Sequence, residues 1–516
     1  MTPSDLKAPS KFTSYRKEQA QALDRLTSSS TRIDVAGLPV GVGKTLLAYS
    51  YASLMGMRAV WLTGTKGLQD QIQREFAEAG VGDTRGMSNY PCRILEDPGR
   101  SYQPGCDAGP CLDGQACPYR ERGCGYYDAW RQAKELPIVV TNYDAWFSHP
   151  PEHPYSLGER HLIIADEAHT LSQALCSAVG VEFDSKQVKR LPGMEGWEVG
   201  QWSEWAHERR LEAEEVLKSG RLNASERRKV RGLHAKFSRL AFAGEDWATS
   251  WDENARGWRM EAEPISPAPY VEGWLWRGAE KIVLMSGTIR PGLMKELGYE
   301  KGDYTFFETR SPFPLANRPI YRIELGFNIN ARTQTPELEE WMGKQDQIHG
   351  PRAHLKGIVH TVSYARARWI YEHSRYKERM IMPLSGADTR EAVERFKRSG
   401  PGNILLSPSV HTGWDFPGDE ADYQIICKVP FADTRDGLAA ARKKADPHWD
   451  IRNAIMTLQQ AAGRVVRTES DKGETFILDD AFKFLWSRHK LEFSHWFVEA
   501  YQVRQTIPGV LRKNFS

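Results

Sequence analysis

The chain has 516 residues, 40% of them hydrophobic and 26% charged, which fits a globular protein with an ample core and roughly three or four domains. Its net charge of only +2 excludes a uniformly basic surface, so any nucleic-acid surface must be a local groove. No apolar run approaches the ~18 residues of a membrane helix, and the N-terminal sequence lacks the apolar segment of a signal peptide. We therefore expect a cytoplasmic protein, in which clustered cysteines are metal-binding or catalytic rather than disulfide-bonded.

Short apolar runs rich in β-forming residues alternate with helical stretches along the chain. Buried parallel strands have this pattern, with chemistry on the loops at their carboxyl ends. The runs occur on both sides of residue 311, which predicts two α/β domains joined by the linker SPFPLANRP at 311–319. In chain order, the predicted strands are IDVAG, RAVWLTGT, PIVVTNY, HLIIADEAH, KIVLMSGT, KGIVHTV, NILLSPS, YQIICKVPF and TFILDD.

Two stretches break this alternation and indicate insertions into the first α/β domain. Residues 80–136 are rich in Gly, Pro and Cys and show no strand pattern before PIVV. Residues 183–262 are highly charged and helical in pattern. The first domain is then predicted to comprise residues 1–79, 137–182 and 263–310, and the second to comprise residues 311–516.

A phosphate-binding loop is predicted where Pro39-Val-Gly-Val-Gly-Lys-Thr45 joins a strand to a helical stretch. Gly41 and Gly43 allow backbone N–H groups to wrap phosphates at a helix N-terminus. We expect Lys44 to reach the β- and γ-phosphates and Thr45 to ligate Mg²⁺.

An acidic tetrapeptide, DEAH, ends the predicted strand HLIIA. We expect Asp166 to hold the metal, directly or through water, and Glu167 to polarise the attacking water. His169 is expected to link hydrolysis to the rest of the core.

A third element, Gln460-Ala-Ala-Gly-Arg-Val-Val-Arg467, lies in the second domain. Arg464 and Arg467 are three residues apart and share one helix face. Because a planar guanidinium suits phosphate oxygens, both are candidate arginine fingers for the γ-phosphate, with Gln460 beside them.

These elements resemble, in order along nearly the whole chain, the XPD/DinG iron–sulfur helicases of helicase superfamily 2. Arg16 and Gln19 resemble the family's R-x-x-Q element, which implies contact with the adenine or its surroundings. Residues 63–71 resemble motif Ia, which implies DNA-backbone contacts by Thr65 and Lys66. Residues 286–288, Ser-Gly-Thr, resemble motif III, which couples hydrolysis to DNA.

The resemblance continues through the second domain. His360-Thr-Val-Ser-Tyr resembles motif IV, which implies DNA contacts by Thr361 and Ser363. Gly413 and Asp415 resemble motif V of the nucleotide site, although Thr412 stands where the family usually has Glu. Residues 460–467 match motif VI.

The resemblance implies an α/β fold with two RecA-like parallel-sheet motor domains. It also implies an iron–sulfur domain at 80–136 and a compact helical Arch domain at 183–262, both inserted in the first motor domain. The implied activity is ATP-dependent 5′→3′ unwinding of DNA, with ATP, Mg²⁺ and a structural [4Fe–4S] cluster as cofactors. The implied partners are single-stranded and forked duplex DNA. We expect a cytoplasmic monomer, associated with the nucleoid in a bacterium or phage.

Five cysteines occur between residues 92 and 124. Thiolates are soft ligands for iron–sulfur clusters and for zinc. The resemblance implies Cys92 and Cys124 as first and last cluster ligands. We predict Cys111 and Cys117 as the other two, with Cys106 as the alternate because Cys106-x4-Cys111-x5-Cys117 also resembles DinG spacing. A structural zinc is the alternative, although the usual C-x2–4-C pairs are missing.

Three further interpretations compete with a helicase. A translocase that moves on nucleic acid without unwinding it would carry the same motifs. A cluster or zinc protein with a vestigial motor is disfavoured by the intact motifs, and a nuclease by the lack of room for a further domain. Tyr126, Tyr127, Tyr143 and Trp146 are candidates for stacking on bases, although ordinary packing is the commoner role of such residues.

Overall fold

The computed structural model describes residues 1–97, 99, 102–254, 257–409, 414 and 416–511. Its strands are β1 (Ile33–Gly37), β2 (Ala59–Thr63), β3 (Val81–Thr84), β4 (Ile138–Asn142), β5 (Leu162–Asp166), β6 (Val181–Asp184), β7 (Trp247–Asn254), β8 (Gly257–Pro264), β9 (Lys281–Ser286), β10 (Tyr304–Glu308), β11 (Ile320–Ile323), β12 (Gly357–His360), β13 (Met380–Ile381), β14 (Ile404–Ser407), β15 (Tyr423–Ile426), β16 (Glu474–Ile477) and β17 (Tyr501–Arg504).

The α-helices surround these strands, and short 3-10 turns join many of them. They are α1 (Lys17–Ser28), α2 (Lys44–Met55), α3 (Lys66–Phe76), α4 (Gly125–Glu135), α5 (Tyr143–Ser148), α6 (Leu171–Val179), α7 (Val199–Lys218), α8 (Ala224–Leu240), α9 (Pro291–Glu296), α10 (Thr335–His349), α11 (Tyr364–His373), α12 (Thr389–Arg398), α13 (Gly437–Ala445), α14 (Trp449–Ala462), α15 (Phe482–His489) and α16 (His495–Ala500). Among the described residues, no helix is both long and apolar enough to cross a membrane.

The first domain is built on a seven-stranded sheet with the order β10-β1-β9-β5-β2-β4-β3. Its strand pairs are parallel. The five central strands are buried along their whole length, as expected for strands covered by helices on both faces. The parallel arrangement brings the carboxyl ends of β1, β5 and β9 to one edge of the sheet.

The second domain repeats this architecture with the order β13-β14-β12-β15-β16-β11-β17, again in parallel. The chain leaves the first sheet at Glu308 and enters the second at Ile320. The two parallel α/β sheets confirm the predicted fold class, and all nine predicted strands are present.

The cysteine-rich segment is shorter than predicted. Strand β3 lies within the predicted insertion but pairs with β4 in the first sheet, and α4 packs against β3. Sequence reading missed β3 because its four residues, VGDT, carry little apolar signal. Between them, the described residues of 85–124 form short 3-10 turns and a bridge between Pro91 and Gly105.

The second insertion is only partly helical. Its helices α7 and α8 pack on each other, but strands β7 and β8 form an antiparallel hairpin that also pairs with β6. We call β6, β8 and β7 the hairpin sheet. Trp251 and Trp258 stack across it with ring centroids 4.9 Å apart. The predicted helical insertion therefore also carries a β-hairpin, which this cross-strand aromatic pair stabilises.

The two insertions contact each other through α8. Arg228 donates a hydrogen bond to the carbonyl oxygen of Asp107 (3.1 Å), and its guanidinium lies 3.8 Å from the carboxylate of Asp113. The cysteine-rich segment is thus held against the second insertion as well as against the first sheet.

A buried ion pair fastens β9 to β1 in the first sheet. The ammonium of Lys281 lies 2.7 Å from the carboxylate of Asp34, which is fully buried, and it also donates to the carbonyl oxygen of Thr31. We expect Lys281→Met to lower the free energy of unfolding by about 3–5 kcal/mol, because Asp34 is left as an unpaired buried charge. Chemical denaturation would measure this, with Lys301→Met, at an exposed position, as the control. A loss below about 1 kcal/mol would contradict the expectation.

Candidate active site and cysteine pocket

The predicted phosphate loop has the geometry that its glycines allow. Gly41 and Gly43 have φ angles of 88° and 84°, in the left-handed region that residues with a Cβ rarely adopt. Gly43 caps the N-terminus of α2, so Lys44 and Thr45 open that helix with its free N–H groups facing the loop. A Cβ at Gly41 would collide with the ring of Phe313 from the interdomain linker.

Arg16 and Gln19 support this loop from α1. The guanidinium of Arg16 donates to the carbonyl oxygen of Gly41, and the amide of Gln19 donates to that of Gly43 at 3.1 Å. The other end of the Gln19 amide accepts from the backbone N–H of Arg16 at 2.8 Å. In this structure both side chains hold the phosphate loop, and their implied contact with adenine stays a prediction.

The acidic pair stands directly opposite the loop. Asp166 is buried at the end of β5, and Glu167 follows it in a left-handed conformation with φ of 52°. One carboxylate oxygen of Glu167 lies 3.8 Å from the ammonium of Lys44. Burial raises the pKa of Asp166 to about 7; the negative Glu167 adds to this rise, whereas Lys44 opposes it. Burial disfavours the charged form of a carboxyl group, which is the physical cause of this rise.

Glu167 is instead kept ionised by its surroundings. Burial acts to raise its pKa, but Lys44, His169, Arg464 and Arg467 outweigh burial and hold the pKa below its usual range. Glu167 therefore stays negative and able to accept a hydrogen bond from water.

His169 links the acidic pair to the strand beside it. Its Nδ1 lies 2.8 Å from the hydroxyl of Ser286 and 3.3 Å from the carboxylate of Glu167. Two residues beyond Ser286, the hydroxyl of Thr288 accepts a hydrogen bond from the amide of Gln460 at 2.7 Å. A short polar chain thus runs from the acidic pair to the second domain.

Arg464 and Arg467 approach this site from the second domain. Burial lowers the pKa of Arg464 and that of Arg467 to about 10 each, while the facing Glu167 acts to raise both, so both remain charged at neutral pH. The guanidinium of Arg464 donates to the carbonyl oxygen of Trp414. Arg464 is buried and Arg467 is partly buried, and both act on Glu167 across the domain boundary. A planar guanidinium in this place suits the oxygens of a phosphate.

A cavity of about 340 Å³ separates the two domains here. Its lining includes Lys44, Glu167, Gln460, Arg464 and Arg467. Two oxygen donors are present for Mg²⁺: the hydroxyl of Thr45, in the first turn of α2, and the carboxylate of Asp166, the last residue of β5. Because Mg²⁺ prefers oxygen ligands, these residues fit it. Gly413 and Asp415, together with Thr412, lie outside the described residues.

Sequence reasoning missed two residues of this site. The hydroxyl of Tyr143, at the carboxyl end of β4, donates to the carbonyl oxygen of Asp166 at 2.8 Å. The indole of Trp496 donates to the carbonyl oxygen of Gly287 at 2.8 Å and lines the cavity. The strand-end position of Tyr143 is a signal that could have marked it, whereas no motif surrounds Trp496.

The predicted DNA contacts divide into exposed and buried residues. Thr65 and Lys66 are exposed at the start of α3, and Ser363 is exposed at the start of α11. Thr361 is fully buried, and its hydroxyl donates to the carbonyl oxygen of Ser363. Its implied contact with DNA stays a prediction.

The four aromatic candidates for base stacking are all buried: Tyr126, Tyr127, Tyr143 and Trp146. The first two pack against each other with ring centroids 5.0 Å apart, and Arg277 covers Trp146 at 3.8 Å. A base cannot reach rings that are already covered, so none of these four rings is placed to stack on a base.

The five clustered cysteines converge on one small cavity. Cys92, Cys106 and Cys124 are buried, whereas Cys111 and Cys117 are partly exposed, and none forms a disulfide. The sulfur of Cys106 lies 3.8 Å from that of Cys124. Cys106, predicted as the spare thiol, is therefore as buried as Cys92 and Cys124 and more buried than Cys111 and Cys117.

The chemistry of this donor set fits a metal or cluster that binds thiolates. Burial and the adjacent Cys124 and Cys92 raise the pKa of Cys106 to about 12, so this thiol keeps its proton unless a cation replaces it. Among the described residues, no three His, Cys, Asp or Glu side chains already stand in a metal-binding arrangement. Which four thiols are ligands stays a prediction.

Comparisons with known proteins agree with this geometry. Residues 12–191 match the family described as Type III restriction enzyme, res subunit, and residues 356–500 match the Helicase C-terminal domain. The 3′-5′ exonuclease DinG of Bacillus subtilis is 23% identical over 283 residues, which cover 50% of this chain and 30% of the relative. The ATP-dependent DNA helicase YoaA of Haemophilus influenzae is 30% identical over 132 residues, which cover 24% of this chain and 21% of the relative.

The fold is also that of solved structures. A structure titled XPD helicase has a TM-score of 0.62 at 15% identity, covering 95% of this chain and 99% of that one. The Xpd4 structure from S. tokodaii has a TM-score of 0.55 at 13% identity, covering 95% and 100%. The matched segments span between 20% and 36% of the length of the curated relatives.

Two parallel-sheet domains that share one phosphate-loop cleft define the class, a two-domain nucleotide-binding motor fold. Within that class, the chain is similar in sequence to helicases named DinG and YoaA and similar in fold to XPD structures, and its second domain matches the Helicase C-terminal domain.

Proposed function

We propose that this chain is an ATP-dependent DNA helicase that moves 5′→3′ along single-stranded DNA and unwinds the duplex ahead of it. The observation that carries the proposal is the interdomain cavity, where Lys44 and Glu167 of the first domain face Arg464 and Arg467 of the second. A site divided in this way is completed only when the domains close, so hydrolysis is tied to domain movement. Relatives named ATP-dependent DNA helicases support DNA as the molecule along which the protein moves.

The residues of the cleft divide the work of phosphoryl transfer. Lys44 and the N–H groups at the start of α2 hold the phosphates, while ionised Glu167 orients the attacking water. Arg464 and Arg467 stabilise the charge that develops on the γ-phosphate. Bound Mg²⁺, held by Thr45 and Asp166, would neutralise phosphate charge.

The polar chain beyond the cleft offers a route for coupling. His169 contacts Ser286, and Thr288 contacts Gln460 of the second domain. Loss of the γ-phosphate would alter this row of hydrogen-bonded side chains and, through Gln460, the position of the second domain. Thr65, Lys66 and Ser363 lie exposed at strand ends of the two sheets, where a single strand could bind through its backbone and respond strongly to salt.

The polarity is tested with forked substrates. We expect ATP-dependent unwinding of a duplex with a 5′ single-stranded tail and none of an otherwise identical duplex with only a 3′ tail. Gel-resolved strand displacement measures both in one preparation. Efficient unwinding from the 3′ tail would reverse the polarity, and ATP hydrolysis without displacement of either strand would favour a translocase.

The metal content tests the cysteine pocket. We propose that it holds a structural [4Fe–4S] cluster on Cys92, Cys111, Cys117 and Cys124. Anaerobically purified protein is expected to be brown, to absorb near 400 nm as iron–sulfur proteins do, and to contain about four irons per chain. Elemental analysis should show a large iron loss in Cys111→Ser and little in Cys106→Ser. A colourless protein with zinc would contradict the cluster. Iron loss in Cys106→Ser but not in Cys111→Ser would make Cys106 a ligand and Cys111 the spare thiol.

A further inference from the structure

A buried charge cluster lies where three parts of the molecule meet, outside the nucleotide cleft. Arg442 on α13 of the second domain pairs with Glu263 at the end of β8, with the charged atoms 2.5 Å apart. Both side chains are only 8% exposed. Gln173 and Ser177 on α6 of the first domain complete the cluster, and we call these four residues the charge junction.

The junction is fully hydrogen-bonded around its carboxylate. Glu263 accepts from the hydroxyl of Ser177 at 2.7 Å and from the amide of Gln173 at 3.2 Å. Arg442 donates to the amide oxygen of Gln173 at 2.8 Å and to the carbonyl oxygen of Pro264 at 3.3 Å. A desolvated pair with this many partners has one favoured geometry, because each alternative leaves a buried charge unpaired.

The backbones at this place are as closely fitted as the side chains. A Cβ on Gly437, at the start of α13, would collide with the carbonyl oxygen of Thr249 in β7. Helix α13 therefore rests directly on the hairpin sheet. The second domain is therefore seated on the insertion of the first domain.

The position of the junction relates it to the catalytic groups on both sides. Gln173 lies one helical turn beyond His169, on the helix that follows the acidic pair. On the other side, α13 leads into α14, which carries Gln460 and is followed at once by Arg464. The junction thus joins the helix after the acidic pair to the helix before the arginines.

Two further contacts fasten α14 to the first domain along its length. In its first turns, Arg452 pairs with Glu296 of α9 at 2.8 Å. Near its end, Gln460 donates to Thr288 at 2.7 Å. Together with Arg442, these contacts fix the start, middle and end of the segment that delivers the arginines to the cleft.

We infer that Arg442 and Glu263 are positioning residues, which set the arginines of the second domain against Glu167 and relay the position of the hairpin sheet to them. Force on the second insertion would then change the rate of ATP hydrolysis through Glu263 and Arg442. This inference rests on the proposed function and deepens it, because it assigns the insertion a part in stimulation by DNA.

The test is steady-state ATP hydrolysis by Arg442→Met, Glu263→Gln, the double neutral variant and the reversed pair Arg442→Glu with Glu263→Arg. A misplacement of about 1 Å can cost about 100-fold in rate, so we expect the DNA-stimulated kcat of each single variant to fall by about 10- to 100-fold. The KM for ATP should change less than about threefold, because the phosphate loop is untouched. The reversed pair should recover most of the lost kcat.

Three controls separate the possible outcomes. Thermal unfolding shows whether each variant is folded, and the double neutral variant, which leaves no unpaired charge, tests position without that destabilisation. Arg435→Met, in the exposed loop before α13, should behave as the wild type. If folded single variants keep the wild-type kcat and stimulation by DNA, the inference is overturned. If the wild type itself does not hydrolyse ATP, the proposed function fails instead.

Discussion

Replacing Lys44 with Ala is expected to lower DNA-stimulated ATP hydrolysis by at least about 100- to 1,000-fold, the usual cost of removing one preorganised electrostatic group from a reaction centre. Lys44 opens α2 directly after the left-handed Gly43, so its ammonium has no substitute at the phosphates. It also lies 3.8 Å from Glu167 and helps to hold that carboxylate ionised. Both losses act on the chemical step.

The measurement is steady-state phosphate release with and without single-stranded DNA. Lys301→Ala, at an exposed position of the same domain, is the matched control, and thermal unfolding should show that Lys44→Ala remains folded. Hydrolysis retained within about tenfold of the wild type would refute the phosphate-loop assignment. Unwinding of the 5′-tailed fork should be lost together with hydrolysis.

The nucleotide site could be predicted from sequence because its residues are local and follow strands. Each of these residues lies at or a few residues after the end of a strand that the sequence shows as an apolar run: Lys44 after β1, and Asp166 and Glu167 at the end of β5. Parallel strands bring their carboxyl ends to one edge of the sheet. Strands β1, β5 and β9 are buried along their whole length, so they are continuous apolar runs that the sequence shows directly.

The sequence does not show which side chains are covered by distant segments of the chain, because that depends on the three-dimensional fold. Thr361 and Tyr143 carry side chains that suit DNA binding, but neighbouring elements cover both. Cys106 is predicted from the spacing of the cysteines to be the thiol that is not a ligand, but its loop folds so that its sulfur lies 3.8 Å from that of Cys124. The hairpin sheet was missed because its residues are polar enough to resemble the charged helices before them.

The charge junction is the extreme case of this limit. Gln173, Glu263 and Arg442 belong to three separate stretches, and none sits in a motif. Charged residues on helices are usually solvated, so only their burial against one another distinguishes them. These residues connect α6 to α13, and α13 leads to α14, so the connection exists only in the folded protein.

Arg464→Lys is the second change expected to have a very large effect, with kcat falling by about 1,000-fold or more, as for arginine fingers in related chemistry. Lysine keeps the positive charge but not the planar fork, so it can hold neither the carbonyl oxygen of Trp414 nor two phosphate oxygens in the same way. Binding of ATP should be reduced far less, because Lys44 and the helix N-terminus remain. Single-turnover hydrolysis together with equilibrium binding of a fluorescent ATP analogue measures the two effects separately.

The separation of the two effects is what distinguishes a transition-state role from a structural one. Arg464 is buried and faces Glu167, so a purely structural role would show as loss of stability, with hydrolysis and nucleotide affinity reduced together. Arg488→Lys, on the exposed face of α15 in the same domain, controls for the exchange of residue type. If Arg464→Lys binds ATP as the wild type does and still hydrolyses it at the wild-type rate, the γ-phosphate contact belongs to Arg467 alone. If affinity and stability fall together with kcat, Arg464 has the structural role and does not stabilise the transition state.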